Sequence, residues 1–451
     1  MVNHLSFFGL GKLGLPLAAL FARSGLRTSG IDLDVDLVHR LQAGELAHCE
    51  PGLEEILAQA AALTFATDAS VATESNASIV LVDTPSDTSG PAFSAVQVEE
   101  ACRSLCRALK MRPAWRYHLV VIASTLFPGT IATSITRLLE EELGRRAGKD
   151  FGLAYVPDFV ALGEVVQGFQ KPPFLLIGSD DQVAGAQAAT LFQRVVAPGT
   201  PLRILSARDA ELTKIFFNVF LCMKISYGNF IAQLGDRLGG ADLDAIAETV
   251  SLDPRIGVGL LRGGAPYAGP CLPRDIDALD HLAQSMGLNS PLVSAASETN
   301  SAQYDLIERH VVEGHPRCVA VLGLSFKAGT PVTIGSSGFE FAKRFLSRSL
   351  RVVAFDPAAK PRADARKRFG AAISCFDALE DCLREADTIL VCNADPCFSG
   401  IATSVSADHR IVDPWGCVRG SHPGLIRIGR KSPDVQGNMS ALTTRERAVP
   451  Q

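Results

Sequence analysis

The run Tyr267-Ala268-Gly269-Pro270-Cys271-Leu272-Pro273-Arg274-Asp275 sets a thiol between a Gly-Pro turn and a Leu-Pro step. The prolines restrict the backbone on both sides, so the sulfur is expected on irregular chain rather than on a regular core face. Arg274 and Asp275 follow at once and bring both signs of charge close to it. That is the setting in which a thiol is tuned toward thiolate and used as a nucleophile. The competing reading is a small buried thiol filling a turn, the ordinary role of one cysteine among eleven.

A second group of polar residues lies upstream. Residues 209–230 predict a long helix with apolar Leu212, Ile215, Phe216, Val219, Phe220 and Met223, a pattern that extends most of the way round and predicts burial, in part against a second subunit. Glu211, Lys214 and Asn218 interrupt it at spacings of three and four, on one face. Polar groups on a buried face need a polar partner. Two readings stand: an ion pair of Lys214 with Glu211, and a lysine kept there for a site.

Such residues need a frame, and the N-terminus supplies one. An apolar strand over 5–8 runs into Gly9-Leu10-Gly11-Lys12-Leu13-Gly14, and residues 15–24 read as a helix rich in Ala and Leu. Strand, three glycines at this spacing and helix form a dinucleotide fingerprint: a tight turn, close approach of backbone to pyrophosphate, and close packing of helix on strand. A second strand, 27–31, ends at Asp32, 23 positions after the first glycine, where a carboxylate can accept the adenosine ribose hydroxyls. Asp34 adds negative charge and no arginine follows at once, so NAD is favoured over NADP. Strands at 78–82 and 118–123 end in Asp83-Thr84-Pro85 and Ser124-Thr125, small polar residues where an open α/β sheet builds its ligand crevice. A helix cap or turn is the alternative role for Thr84. Strands at 154–156, followed by Pro157-Asp158-Phe159, and at 175–178 come next, and a helix over 180–195 is expected to finish this domain.

Beyond Cys271, a helix from 290 to about 312 leads to a third unit. Its strand 318–322, the turn Gly323-Leu324-Ser325-Phe326-Lys327, a helix over 338–349 and a strand 351–355 ending at Asp356-Pro357 repeat the strand-turn-helix-strand order of the N-terminus. Strands at 388–392 and 410–412 extend its sheet, and after Ser432 the chain reads as a loose polar tail. The fold class expected is therefore α/β: two Rossmann-like doubly wound domains joined by a central helical domain with one long helix, with divisions at 1–200, 201–300 and 301–451.

The bulk composition excludes several classes. A net charge of −5 with no basic block argues against nucleic acid or an anionic membrane surface as partner. The eleven cysteines form no CxxC pair and read as free thiols in a reducing compartment. The apolar N-terminus lacks a basic leader and is broken by glycines and Lys12, unlike a signal peptide, and no apolar stretch reaches the length of a bilayer span. A cytoplasmic protein with no metal is expected.

Taken together, these stretches resemble the UDP-glucose/GDP-mannose dehydrogenase family along nearly the whole chain. GLGKLGLPLA is similar to the family's cofactor loop, and VDTP, ending at Pro85, and AST, ending at Thr125, to its nicotinamide-side turns. ELTKIFFNVFLCMKI resembles its central-helix signature, which implies a catalytic lysine at Lys214 and a companion asparagine at Asn218. YAGPCLPRD implies the catalytic cysteine at Cys271 and an aspartate at Asp275, with Gly269 on the substrate side. DPRIG places a substrate-binding arginine at Arg255, and GLSFKAGT a phosphate-contacting lysine at Lys327. The family's general-base glutamate becomes the shorter Asp158, a second glutamate becomes Leu162, the serine before the cysteine is Pro270, and two arginines become Ile334 and Trp415. Phe159 stands where members acting on N-acetylated sugars commonly carry arginine, which leans toward a neutral hexose, UDP-glucose oxidised to UDP-glucuronate.

The resemblance implies a four-electron oxidation of a nucleotide sugar's C6 alcohol to a carboxylate, with NAD as oxidant, in a homodimer joined through the central helix. Cys271 would act as nucleophile, Lys214 and Asn218 as oxyanion donors, a water held by Lys214 and Asp275 as first base, and Asp158 as the group that directs hydrolytic water. Two alternatives stand beside it. One is a two-electron alcohol dehydrogenase on the same scaffold. The other is a nucleotide-sugar-binding protein without turnover, motivated by Leu162, Ile334 and Trp415.

Overall fold

The computed structural model describes residues 2–46, 50–85, 93–239, 241–257 and 259–430, and the tail expected after Ser432 lies outside them. Contacts divide the chain into two units, Met1–Phe217 with Asp277–Met286, and Asn218–Ile276 with Gly287–Gln451.

The first unit is built on β1 (His4–Phe8), β2 (Arg27–Ile31), β3 (Leu63–Ala66), β4 (Ala77–Val80), β5 (Leu119–Ile122), β6 (Gly152–Tyr155), β7 (Leu175–Gly178) and β8 (Leu202–Leu205), hydrogen-bonded in the order β3-β2-β1-β4-β5-β6-β7-β8. Pairing is parallel from β3 through β6, antiparallel between β6 and β7, and parallel again to β8. Strands β1, β4, β5, β6 and β7 are buried along their whole length, which is why they read as apolar runs without alternation. The helix expected at 180–195 runs Gln182–Phe192 and does not finish the sheet, because β8 follows it. With Arg203 and a half-exposed Ile204 in only four residues, β8 is an edge strand too short to show a period.

The second unit carries β9 (Cys318–Leu322), β10 (Arg351–Phe355), β11 (Ile373–Cys375), β12 (Thr388–Val391), β13 (Arg410–Val412) and β14 (Leu425–Ile426), all parallel, in the order β11-β10-β9-β12-β13-β14. That is the order of β3-β2-β1-β4-β5-β6 in the first unit. The chain therefore holds two doubly wound sheets, as expected, each with a switch point where the strand order reverses: β1 beside β4, and β9 beside β12.

The central helix spans Ala207–Leu238, 32 residues against the 22 expected. By length and composition it could cross a bilayer, contrary to the expectation that no stretch reaches that length. Its buried face nevertheless carries Glu211, Lys214 and Asn218, each met by protein groups, as in a core helix. Burial is also one-sided. Ile215, Val219, Cys222 and Ala232 are enclosed, whereas Phe216, Phe220, Tyr227, Phe230 and Leu234 are exposed, so the all-round apolar pattern is not covered among the described residues.

Beneath the first sheet runs a buried polar chain. The Arg112 guanidinium lies 3.1 Å from His118 Nδ1, and His118 Nε2 lies 2.8 Å from Ser78 Oγ, which in turn pairs with Ser6 Oγ at 2.5 Å. Arginine only donates, so Nδ1 accepts and Nε2 carries the proton to Ser78. Burial, then the Arg112 charge, lowers the His118 pKa from 6.5 to about 3. Between those values the unfolded chain binds a proton that the fold excludes, so stability falls as pH falls, by about 1.4 kcal/mol per pH unit from this residue. His118→Gln can keep both hydrogen bonds without titrating. Urea unfolding across pH 3 to 6.5 is expected to show a pH slope smaller by that amount in the variant, and equal slopes would remove His118 from the account.

Candidate active site

In the first unit the glycine loop has the shape the fingerprint predicts. Gly9 has φ +98°, its N–H donates to Ile31 O at 2.9 Å, and a Cβ there would lie 2.2 Å from Leu81 O. A Cβ on Gly14 would lie 2.0 Å from Gly9 O, so the helix Gly14–Arg23 closes directly onto the turn. Beside Gly11 there is open space, and Gly11 and Lys12 are exposed with Leu13 half-buried, so backbone here is reachable by a phosphate. The Leu10 N–H donates to Asp32 Oδ2 at 2.7 Å, which fixes the carboxylate at the end of β2 and leaves further lone pairs for a ribose. Asp34 is instead occupied as a helix cap, accepting from Leu37 N at 2.9 Å. Thr84 and Thr125 are buried beyond the ends of β4 and β5, and Pro85 is exposed. These residues fit a dinucleotide.

Lys214 does not pair with Glu211. Its Nζ donates to the Asp158 carbonyl at 2.5 Å, lies 3.7 Å from Asp158 Oδ1, and sits 5.2 Å from the centroid of Phe159. Phe159 is itself packed on Phe174 and Phe217, with centroids at 4.8 and 5.0 Å, so its ring supports the ammonium. Glu211 has other work: it accepts from Gly129 N at 2.6 Å and Ile131 N at 2.8 Å, holding the loop that follows β5 and Thr125. Sequence reasoning missed this because a carboxylate three residues from a lysine reads as its partner. The Gly129 turn was the available signal.

In the second unit Cys271 immediately precedes the helix Leu272–Ser285, and its carbonyl accepts from Asp275 N at 2.9 Å. The irregular backbone expected around the sulfur thus ends at a helix N-terminus, whose dipole favours negative charge. Asp275 is fully buried. It accepts from Asn218 Nδ2 at 2.5 Å and pairs with Arg274 at 3.0 Å. Lys214 and Asn218 stand one turn apart on the central helix. Among the described cysteines only Cys271 and Cys397 are exposed. Burial and the neighbouring Asp395 push the Cys397 thiol up, away from thiolate, and burial does the same to Cys102, Cys106, Cys318, Cys382 and Cys392.

Arg255 is not gathered with these groups. It is exposed and folded onto Asp253, with Nη2 2.6 Å from Oδ2. Lys327 lies half-buried in the loop after β9, and Ile334 and Trp415 are exposed. That loop repeats the first fingerprint: Gly323 N donates to Phe355 O at 2.9 Å, and Leu324 N to Asp356 Oδ2 at 2.9 Å, with Asp356 standing at the end of β10 as Asp32 does at the end of β2. Asp356 is buried, which raises its pKa, and it also accepts from Ser325 and Ala358 N–H groups. Its equivalence to Asp32 was readable from the Asp356-Pro357 step after the strand.

Comparison with known proteins gives the following. Residues 3–196 match the UDP-glucose/GDP-mannose dehydrogenase family NAD binding domain, 208–302 that family's central domain, and 320–420 its UDP binding domain. The chain is 31% identical over 434 residues to a GDP-mannose 6-dehydrogenase of Azotobacter vinelandii, covering 92% of this chain and 96% of the relative. It is 32% identical over 397 residues to a UDP-glucose 6-dehydrogenase of Haloferax volcanii, covering 86% and 90%. Among solved structures, a UDP-glucose dehydrogenase from the hyperthermophilic archaeon Pyrobaculum islandicum is similar at a TM-score of 0.86 and 30% identity, covering 96% of this chain and 98% of that one.

Burial pushes Glu211 from 4.5 up to about 7 despite its two backbone donors. Between those values the folded chain holds a proton that the unfolded chain has lost, so stability falls as pH rises, the reverse of His118. The two effects oppose each other between pH 4.5 and 6.5. Glu211→Gln is expected to remove the falling limb, so that stability rises with pH in that window by about 1.4 kcal/mol per unit more than in the parent. Urea unfolding at matched pH values measures this, and an unchanged profile would contradict it.

Proposed function

Since this chain belongs to the UDP-glucose/GDP-mannose dehydrogenase family, whose members are NAD-dependent nucleotide-sugar 6-dehydrogenases acting on CH–OH groups, we propose that it oxidises UDP-glucose to UDP-glucuronate through a thioester on Cys271. The observation that carries this reading is the exposed Cys271 at a helix N-terminus, one turn before an Asp275 held by Asn218. The uncharged Phe159 ring and the similarity to UDP-glucose dehydrogenases support glucose as the sugar. GDP-mannose is the second reading, supported by the Azotobacter relative.

NAD would be held by Gly9, Gly11, Lys12, Leu13 and Gly14 of the glycine loop and by Asp32, and when bound would supply the acceptor for the hydride lost from C6 at each of two oxidations. Thr84, Pro85 and Thr125 border the nicotinamide side. A water held by Lys214 and Asp275 removes the hydroxyl proton in the first oxidation and leaves an aldehyde. The Cys271 thiolate then forms a C–S bond to C6, the carbonyl π pair moves to oxygen, and Lys214 and Asn218 donate to that oxygen. Loss of hydride from the thiohemiacetal restores the C=O bond as a thioester. Asp158 directs water onto it, the C–S bond breaks, and thiol and carboxylate are released. The balance is one alcohol, two NAD and one water to one carboxylate, two NADH and three protons. Lys327 and Gly269 would bind the nucleotide sugar, and Arg255 would join them only on leaving Asp253. Asp158 is one methylene shorter than glutamate and already engages Lys214, so hydrolysis is expected to be slower than with a glutamate there.

The exposed apolar stripe Phe216, Phe220, Tyr227, Phe230 and Leu234 supports a homodimer through the central helix, since apolar rows of this length are covered in stable proteins. A Phe220→Asp, Phe230→Asp double variant is expected to run as a monomer by light scattering where the parent runs as a dimer. A parent that is monomeric at all concentrations would end that part of the proposal.

Assayed against UDP-glucose, GDP-mannose and UDP-N-acetylmannosamine, the protein is expected to prefer UDP-glucose and to form two NADH per sugar. Cys271→Ala is expected to form no carboxylate, and Cys271→Ser to retain a covalent adduct. One NADH per sugar would favour the two-electron alcohol dehydrogenase. Binding without NADH would favour the protein without turnover. Acid formed by Cys271→Ala at the parental rate would exclude the thioester.

A further inference from the structure

Residues 263–270, which lead to Cys271, form no helix or strand, yet their backbone groups are taken up one after another by side-chain amides. Gly264 N–H donates to Asn229 Oδ1 at 2.9 Å, and Asn229 Nδ2 donates to Ala265 O at 3.0 Å. Gln303 Nε2 donates to Gly264 O at 2.6 Å, while its Oε1 accepts from Gln233 Nε2 at 3.0 Å. Asn300 spans Tyr267 from both sides, accepting from its N–H at 2.8 Å and donating to its carbonyl at 3.2 Å. Asn229 comes from the central helix, and Asn300 and Gln303 from one face of the helix Pro291–Val312. Asn229 and Gln303 are fully buried.

The far end of the segment is fastened by backbone. Gly269 N–H donates to Gly335 O at 2.8 Å, and Gly269, at φ +88°, lies so close to the Phe326 ring that a Cβ would stand 2.6 Å from it. Phe326 and Gly335 belong to the same loop as Lys327. Two residues after Gly269 comes the sulfur-bearing Cys271.

A carboxamide that both donates and accepts holds its backbone partner at two points, and a shift of one residue turns that N–H and C=O away and breaks both bonds at once. Extended chain left to water would not hold a thiol to a fraction of an ångström, and reaction rates fall by about a hundredfold for misplacement on the order of 1 Å. We propose that Asn229, Asn300 and Gln303 are positioning residues that set the register of residues 263–270 and thereby place Cys271 for attack on the aldehyde. The proposal rests on the thioester reading above. It adds that the second oxidation, which alone uses the sulfur, depends on these amides, whereas the first does not.

The test uses the full chain with NAD and UDP-glucose, and compares the parent with Asn300→Leu, Asn300→Asp and Cys271→Ala. Asn300→Leu is expected to lower NADH per sugar from two toward one, with the aldehyde captured by hydroxylamine and the first hydride transfer within about threefold of the parent. Asn300→Asp keeps the acceptor for the Tyr267 N–H and is expected to recover part of the ratio. A role confined to holding the fold would lower the amount of active protein and leave the ratio at two, which would overturn the proposal. Hydrogen exchange of the peptide over 263–271 is the second readout. Its protection is expected to fall at least tenfold in Asn300→Leu with the remainder of the chain unchanged, and unchanged protection would overturn the proposal even where Asn300→Leu is too unstable to assay. If Cys271→Ala matches the parent, the thioester reading fails by itself, and the exchange measurement still decides whether the amides set the register.

Discussion

A polar side chain buried on a helix must be met by a partner, and the central helix imposes that condition on six buried residues and the half-buried Gln233 along one face. Glu211, Lys214, Asn218, Cys222, Ser226, Asn229 and Gln233 recur at spacings of three and four. Each is answered: Glu211 by two N–H groups after β5, Lys214 by Asp158, Asn218 by Asp275, Cys222 by Leu272 O, Ser226 by Ala296 O, Asn229 by Gly264 and Ala265, and Gln233 by Gln303. Leaving any one buried donor or acceptor unmet costs about 1–3 kcal/mol, so the row fixes the register of every segment that meets it. In the first unit those segments carry Thr125 and Asp158, and in the second they carry Cys271 and Asp275.

This row explains what could be read in the sequence and what could not. The glycine loops, the inner strands of both sheets and Asp32 were legible because each is a local pattern: apolar run, turn glycine, acidic residue at the strand end, whereas the short edge strands β3, β8, β11 and β14 were not. The irregular backbone leading to Cys271 was legible from its prolines, but the helix beginning at Leu272 was not, because Pro273 reads as a breaker when in fact it occupies the first turn, where no N–H is needed. The lower half of the stripe was also hidden. Asn229 and Gln233 sit among apolar residues with no charge to draw attention, and their partners lie dozens of residues away along the chain.

The Lys214 pairing shows the same limit. Spacing alone favours Glu211, three residues back, yet a side chain leans toward the helix N-terminus and toward whatever tertiary group stands there. Here that group is the Asp158 turn after β6, with Phe159 beneath the ammonium. Glu211 is left to the Gly129 turn, where burial drives it toward neutrality while two N–H groups favour its charge. A carboxylate balanced in this way holds the loop firmly only when ionised, because the protonated acid must turn one oxygen into a donor facing an N–H.

The two sheets share one strand order and one way of tying a glycine turn to an acidic residue, but they differ in what lies between the glycine pair. Gly9 and Gly14 are five residues apart, and the Gly14 helix closes on the Gly9 carbonyl. Gly323 and Gly338 are fifteen apart, and Gly338 closes on the Gly323 carbonyl in the same manner. The added residues in the second loop therefore do not disturb the turn. They form an excursion that includes the half-buried Lys327, folds back through the Phe326 N–H to Val332 O bond, and presents the Gly335 carbonyl to Gly269. In the first unit the short loop leaves space beside Gly11, as a pyrophosphate requires. In the second, the long loop fastens the segment that ends at Cys271 through the bond from Gly269 N–H to Gly335 O. The same glycine turn thus leaves open backbone beside Gly11 in the first unit and, in the second, supports a loop that hydrogen-bonds the segment before Cys271.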